Sequence, residues 1–204
     1  VMSGIDLTAA GTATRGNFRA RLGLEPGAPL VVTVAALTRE KGLDTLIAAA
    51  SRLRTRTPPV HWAIAGTGPL ARELGSLASA GEVGRTVHLL GHLNDPASLL
   101  AEADCVVMAS TSEGFGSSLL DAMALGRPVV ATSVGGMPEV VGSAGVIVPP
   151  QDAAALADAV AALLADPARA ATLGMAARER VREFGADRMA RAMVAVYRSV
   201  AQTD

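Results

Sequence analysis

Two carboxylates eight residues apart, Glu113 and Asp121, bracket a run of small residues that includes Gly114, Gly116, Ser117 and Ser118. A helix opening just after Gly116 leaves unpaired backbone N–H groups aimed at one point. Its dipole adds about half a positive charge there. Gly114 and Gly116 allow a ligand to approach the backbone closely. The chemistry of this layout is anion capture. At about 1.5 Å of rise per helical residue, the two carboxylates are expected roughly 12 Å apart along the axis. A diphosphate held at the helix start would then have one carboxylate towards each end. Carboxylates accept hydrogen bonds from vicinal hydroxyls, so each end suits a sugar.

The surrounding sequence supplies the elements that must position these groups. An apolar strand at 105–109 runs into a polar turn at 110–116, where Ser110, Thr111 and Ser112 shape the approach to Glu113. The helix is expected over 117–125 and ends at Gly126, which readily takes the left-handed cap. Arg127-Pro128 leads into a second buried strand at 129–132, and Gly135-Gly136 precedes a helical start at Pro138-Glu139. Upstream, a short helix is expected at 14–22, a strand at 30–36, a turn at 38–42 and a helix at 43–56. The last of these places Leu43, Leu46, Ile47, Ala50 and Leu53 at helical spacing. Strands follow at 60–65 and 87–90, with helices at 70–80 and 96–103. A last strand at 145–148 precedes helices at 153–165, 168–184 and 187–201, the first capped by Asp152 and ended by Asp166-Pro167. Short Val-rich runs alternating with longer Ala-rich ones indicate a doubly wound α/β domain, a six-stranded parallel sheet covered by helices. In such folds ligands sit at the carboxyl ends of the strands, where these glycine turns gather.

Composition narrows the function. The chain has 204 residues, half of them hydrophobic, and a net charge of −1. No global field attracts nucleic acid, so an anionic ligand must be held locally. The lone cysteine, Cys105, lies in an apolar run, which favours a reducing, cytoplasmic setting. No apolar run approaches 18 residues and no signal peptide is visible. No His/Cys/Asp cluster suggests a metal. His61 and His88 flank apolar strands and are read as packing or surface residues. The arginines of the last two helices alternate with Glu179, Glu183 and Asp187, the pattern of a solvated face.

Glu113-Gly114-Phe115-Gly116, Leu120-Asp121-Ala122-Met123-Ala124, Gly126, Pro128 to Thr132 and Gly135-Gly136 together resemble the retaining glycosyltransferases of family 4. The resemblance runs over nearly the whole chain. It implies the GT-B fold, two Rossmann-like domains facing across a cleft, of which this chain is the C-terminal donor-binding half. The family motif is two glutamates separated by seven residues. The first lies in the region that holds the donor sugar and the second holds the nucleotide ribose, positions that fall on Glu113 and Asp121. The second is Asp here, one methylene shorter. Members also carry an arginine just after the first strand and a lysine before the next glycine, both on the donor diphosphate. Ala36 occupies the arginine position, Lys41 matches the lysine, and Arg39 stands nearby as a substitute. The turn at Gly66 and Gly68 lines the nucleotide side in the family, and His92-Leu93 falls where the nucleobase is bound.

The resemblance therefore makes Glu113 and Lys41 the candidate catalytic residues. Gly114, Phe115, Gly116, Ser117, Ser118, Asp121, Gly66, Gly68, His92, Leu93 and Arg39 are the candidate donor contacts. The expected substrate is a UDP-, GDP- or ADP-sugar, with no cofactor and no metal. The expected organisation is a linker and short helix at 1–29, a nucleotide-sugar-binding domain at 30–184, and a helix at 185–204 that docks on an N-terminal acceptor domain outside this chain. Alone, the chain is expected to bind donor without transferring sugar. The longer protein would be cytoplasmic, with possible peripheral contact at the inner membrane face.

Three rival readings compete with this one. Gly66-Thr67-Gly68-Pro69-Leu70-Ala71 fits a dinucleotide pattern, but that reading requires an acidic residue ending the next strand. That strand ends in Gly91-His92 instead. A nucleotide-sugar epimerase shares the GT-B fold, and the Glu113-to-Ala124 run with Lys41-Gly42 favours the transferase. A non-catalytic nucleotide-sugar-binding module draws on Ala36 and Asp121.

Overall fold

The computed structural model describes residues 13–80 and 83–201. The first part of the expected 1–29 linker and the last three residues of the expected terminal helix segment lie outside the described residues. A single six-stranded sheet holds β1 (Leu30–Val34), β2 (His61–Ala65), β3 (Val87–Gly91), β4 (Cys105–Met108), β5 (Val129–Thr132) and β6 (Val146–Val148). Its order is β3-β2-β1-β4-β5-β6 and every pairing is parallel. The parallel, doubly wound architecture expected from the sequence is therefore present.

The apolar strand runs follow from burial on both faces. Successive side chains point to opposite sides of a strand. Leu30, Val32, Val106, Met108, Val129 and Ala131 thus join one core, while Val31, Cys105, Val107 and Val130 join the other. The helices, in chain order, are α1 (Phe18–Arg21), α2 (Leu43–Arg52), α3 (Ala71–Ala80), α4 (Pro96–Leu100), α5 (Ser117–Ala124), α6 (Met137–Val141), α7 (Ala153–Ala165), α8 (Pro167–Arg180) and α9 (Ala186–Ala201). Leu43 and Leu46 of α2 pack with Leu156 and Val160 of α7 over the second core. Leu99 of α4 and Leu119 and Leu120 of α5 cover the first. Full burial of such a side chain stabilises by roughly 1.5–3 kcal/mol. The chain thus crosses from one face to the other between the β1 and β4 connections. That crossing opens a crevice beyond the carboxyl ends of those strands.

Several element ends differ from the sequence expectation. The first strand stops at Val34, although Ala35 and Leu37 N–H still donate to Ala65 O and Thr67 O beyond it; Thr38 N–H then folds back to Ala36 O. The helix expected over 43–56 ends at Arg52, with Leu53 as its cap. The one expected at 14–22 contracts to Phe18–Arg21, and the one at 96–103 contracts to Pro96–Leu100 behind an Asp95 N-cap. The helix expected over 168–184 divides into α8 and a tighter 3-10 turn at Val181–Phe184. Asp166 breaks the chain as expected but also starts α8, its carboxylate accepting from Arg169 N–H at 2.9 Å. Asp152 caps α7 by accepting from Ala154 and Ala155 N–H. Gly126, at φ 66°, closes α5: its N–H donates to Met123 O, and Arg127 N–H donates to Ala122 O.

Candidate functional site

Two turns at the carboxyl ends of β1 and β4 are stitched together. The first is a 3-10 turn, Arg39–Lys41, followed by Gly42 at φ 59°. A Cβ on Gly42 would lie 2.1 Å from Ala109 O, so only glycine lets this turn sit against the end of β4. Thr111 N–H donates to Glu40 O at 2.8 Å, locking the second turn to the first. The result brings Lys41 Nζ to 2.6 Å from Glu113 Oε2, with Ser110 Oγ 3.2 Å from the same oxygen. Both partners are mostly withdrawn from water, with side-chain exposures of 21% and 13%.

A third turn supports the Glu113 segment from beneath. Gly136 N–H donates to Gly114 O at 3.0 Å. A Cβ on Gly135 would fall 1.7 Å from Glu113 O. The role of Gly135-Gly136 is therefore close backbone contact under the Glu113–Gly114 peptide, a contact invisible in the sequence. Phe115 is held by a different neighbour, its ring meeting Phe184 edge-on at 5.6 Å.

Helix α5 opens at Ser117 from Gly116, which is at φ 68° and provides no side-chain cap. The first helical bonds run from Leu119 and Leu120 N–H to Gly116 O. The N–H groups of Ser117 and Ser118 precede them and find no acceptor among the described residues. Ser118 Oγ is committed to Val34 O at 2.8 Å, tying the helix start to the end of β1. Asp121 lies one turn further on and is half-buried, and burial raises its carboxyl above the usual carboxylate range. Because α5 begins only at Ser117, just four of the eight steps from Glu113 to Asp121 rise along the helix, roughly 6 Å. The expected 12 Å axial spacing is corrected accordingly: residues 113–116 form a turn.

These groups surround one cavity of about 520 Å³. Lys41, Glu113, Gly116, Ser117, Ser118 and Asp121 line one part of it. Gly66, His92 and Leu93 line another, with Thr67 and Pro96 beside them. Lys41 is the one lysine or arginine among the described lining residues, facing two carboxylates. Four candidates stand outside this lining. Arg39 is exposed on its turn and does not reach the cavity. Gly68 lies close against the Leu37 peptide, where a Cβ would fall 2.5 Å from Leu37 O. Gly114 and Phe115 contribute to the Glu113 turn without lining the cavity. The wall also includes Val34, Ala35 and Met108, which sequence reasoning did not select because apolar strand ends carry no chemical signal. Ala36 lines the cavity with no more than a methyl group. Among the described residues no three His, Cys, Asp or Glu side chains gather as a metal site, and no helix is long and apolar enough to cross a membrane.

Comparison with known proteins bears on the same region. Residues 14–180 match the family described as Glycosyl transferases group 1. The chain is 37% identical over 195 residues to a D-inositol 3-phosphate glycosyltransferase of Arthrobacter sp. (strain FB24), covering 92% of this chain and 46% of that protein. It is 40% identical over 177 residues to a GDP-mannose-dependent alpha-(1-6)-phosphatidylinositol monomannoside mannosyltransferase of Mycolicibacterium smegmatis, covering 80% and 46%. Among solved structures, sucrose-phosphate synthase of Thermosynechococcus elongatus superposes with a TM-score of 0.85 at 33% identity, over 99% of this chain and 52% of that one. Anabaena HepE in complex with UDP superposes with a TM-score of 0.87 at 25% identity, over 96% and 56%. The chain spans about half the length of the relatives it matches.

Proposed function

This chain belongs to the glycosyl transferases group 1 family, and we propose that it holds a nucleoside-diphosphate sugar for retaining transfer of the sugar to an acceptor. The observation that carries this reading is the convergence of Lys41, Glu113, the open start of α5 and Asp121 on one cavity. The diphosphate lies between Lys41 Nζ and the N–H groups of Ser117 and Ser118. As the bond from sugar to phosphate breaks, negative charge grows on the departing nucleotide. The Lys41 cation and the positive end of α5 are already in place to stabilise it. Glu113 accepts hydrogen bonds from the sugar hydroxyls and Asp121 from the ribose. His92 and Leu93 flank the base. The UDP complex of the Anabaena protein supports a nucleotide in this class of cleft.

Transfer itself requires an acceptor held within about 3–3.5 Å of the reacting carbon. We assign that task to a second domain, in line with the half-length match to the relatives. The exposed Met193 and Tyr197 of α9 offer it an apolar docking surface. The chain alone is then expected to bind donor and show at most slow hydrolysis. Calorimetry with UDP, GDP and ADP tests the reading, and binding of at least one at millimolar concentration is expected. Absence of heat and of any thermal shift with all three defeats it.

A further inference from the structure

One continuous segment, residues 174–184, bears on both ends of the helix that opens the donor cavity. At its start, a Cβ on Gly174 would fall 2.2 Å from Gly126 O, so α8 lies in backbone contact with the glycine that closes α5. At its end, the 3-10 turn Val181–Phe184 brings Phe184 against the turn that precedes α5. Phe184 is buried, 4% exposed, and meets the Phe115 ring at 5.6 Å with the two planes inclined at 71°. Edge-to-face pairs of this kind stabilise beyond the apolar area they bury.

A second contact on Phe115 comes from the third turn. A Cβ on Gly136 would lie 3.5 Å from Phe115 Cδ2, and Gly136 N–H donates to Gly114 O at 3.0 Å. Helix α6 starts at the next residue and is itself anchored by the 174–184 segment. Arg180 Nε donates to Val140 O at 2.7 Å and Arg180 Nη2 donates to Glu139 O, taking up carbonyls that the last turn of α6 leaves open. The guanidinium also lies 5.9 Å from the centre of the Phe184 ring. Gly142, at φ 52°, makes room for it: a Cβ there would fall 2.8 Å from Arg180 Cζ. The Glu113–Gly116 turn is therefore held between two supports, Phe184 and α6, that share one base. Neither Phe184 nor Arg180 lines the cavity. The start of α5 has a tether of its own, Ser118 Oγ to Val34 O. Ser118 thus fixes the helix end that faces the diphosphate, and Phe184 fixes the turn that carries Glu113.

We propose that, with the cavity read as the donor site, Phe184 is a positioning residue for the sugar end of the donor, acting through Phe115 to keep the Glu113 carboxylate beside Lys41. A carboxylate that must match sugar hydroxyls is sensitive to small displacements, so loosening the ring contact impairs sugar recognition before phosphate recognition.

Phe184→Leu keeps an apolar side chain and removes the ring. Phe115→Leu removes the same contact from the half-buried partner and covers the case in which the first variant folds poorly. Calorimetry on the full 204-residue chain compares UDP-glucose, GDP-mannose and ADP-glucose with UDP, GDP and ADP. Each variant is expected to weaken the sugar nucleotide about fivefold or more while leaving the matching diphosphate within about twofold. The double variant is expected to lose no more than the larger single loss, because both substitutions remove one contact. Hydrogen exchange supplies a ligand-free readout. Exchange of Gly136 N–H is expected to rise about tenfold more than that of Trp62 N–H, which is bonded to Thr86 O on β2. Absence of any nucleotide binding by the native chain defeats the donor reading and leaves exchange to decide whether Phe184 holds the turn. Equal loss of sugar nucleotide and diphosphate, native affinity in both variants, or equal acceleration at Gly136 and Trp62 overturns the proposal.

Discussion

Lys41 and Glu113, 72 residues apart in the chain, form a 2.6 Å ion pair at the mouth of the cavity proposed for the donor. The pair makes the Lys41 ammonium a shared resource. A diphosphate entering the cavity must compete with Glu113 for it. Hydrogen bonds to charged groups contribute roughly 1.5–3 kcal/mol each. Lys41→Ala is therefore expected to weaken nucleoside diphosphate binding about 10- to 100-fold. Glu113→Gln releases the ammonium and is expected to leave that binding unchanged or tighten it several-fold. Calorimetry on both variants checks the competition. Equal losses in the two would show that Glu113 helps hold the diphosphate directly.

Asp121 separates nucleoside recognition from phosphate recognition. Asp121→Ala is expected to weaken a nucleoside diphosphate about 10- to 100-fold while hardly affecting pyrophosphate. Equal loss for both ligands would remove the ribose assignment. Asp121→Glu, which restores the longer carboxylate, is expected to be neutral or to tighten binding.

The same residue predicts a pH dependence. Burial raises the Asp121 carboxyl above its usual value of 3.8. Between that value and the higher folded one, the native state binds more protons than the unfolded state, so this group's contribution to stability falls as pH rises. Asp121→Asn is therefore expected to raise the melting temperature of the ligand-free protein at neutral pH. A sugar nucleotide needs the ionised carboxylate as acceptor, so its affinity is expected to fall on acidification through the raised pKa. Titrations across that range should show the dependence in the native chain and its absence in Asp121→Asn.

Gly135 tests the support beneath the Glu113 turn. Its φ is 52°, and an added Cβ would meet Glu113 O at 1.7 Å. Gly135→Ala is expected to destabilise the fold by about 1–3 kcal/mol through backbone strain alone. It should also displace Glu113 and weaken sugar-nucleotide binding more than pyrophosphate binding. Thermal melts and paired titrations distinguish the two effects. A variant with native stability and native affinity would mean the contact is dispensable.

His61 and His88 provide a stability readout at the other end of the sheet. His61 Nδ1 lies 3.1 Å from His88 Nε2, and the rings stack at 5.4 Å. Burial lowers both below their usual 6.5, assisted by Arg19 at His61 and by His61 at His88. Below pH 6.5 the unfolded chain takes up protons first, so stability falls as pH drops towards the folded values. Melting temperature is expected to decline as pH falls below 6.5, and less so in a His61→Gln/His88→Gln variant. Identical declines in both proteins would assign the effect elsewhere.

How much of this was legible in the sequence depends on how local each signal was. Parallel strands buried on both faces leave unbroken apolar runs, so 105–109 and 129–132 were readable with near-final limits. Gly126 and Asp152 act within their own turns, so their capping roles are legible locally. Helix limits such as 43–56 were overrun because Arg54, Thr55 and Arg56 carry no strong stop signal before Pro58. At the site, Glu113, Gly116 and Asp121 announced themselves by type and spacing. The long-range contacts did not: the Lys41–Glu113 pair, the Gly135 contact and the pairing of His61 with His88 exist only once the strands are in register. The charge of Arg39 suggests a phosphate contact, yet its position on the 3-10 turn leaves it outside the cavity lining.

The sheet order has a consequence for when this molecule becomes able to bind. β2 and β3 join β1 in sequence, through successive local crossovers. β4 instead returns to the far side of β1, a junction marked by Thr33 Oγ1 donating to Val107 O across 74 residues. Closing so long a span is entropically unfavourable, and contacts of that separation form slowly. Every charged group assigned to the donor site straddles this one seam: Lys41 follows β1, whereas Glu113 and Asp121 follow β4. A partly folded chain with β1, β2 and β3 assembled would present half a cavity and no ion pair. Recovery of nucleotide binding during refolding should therefore trail the recovery of helical signal, so the ligand would serve as a clock for the closing of a single strand pair.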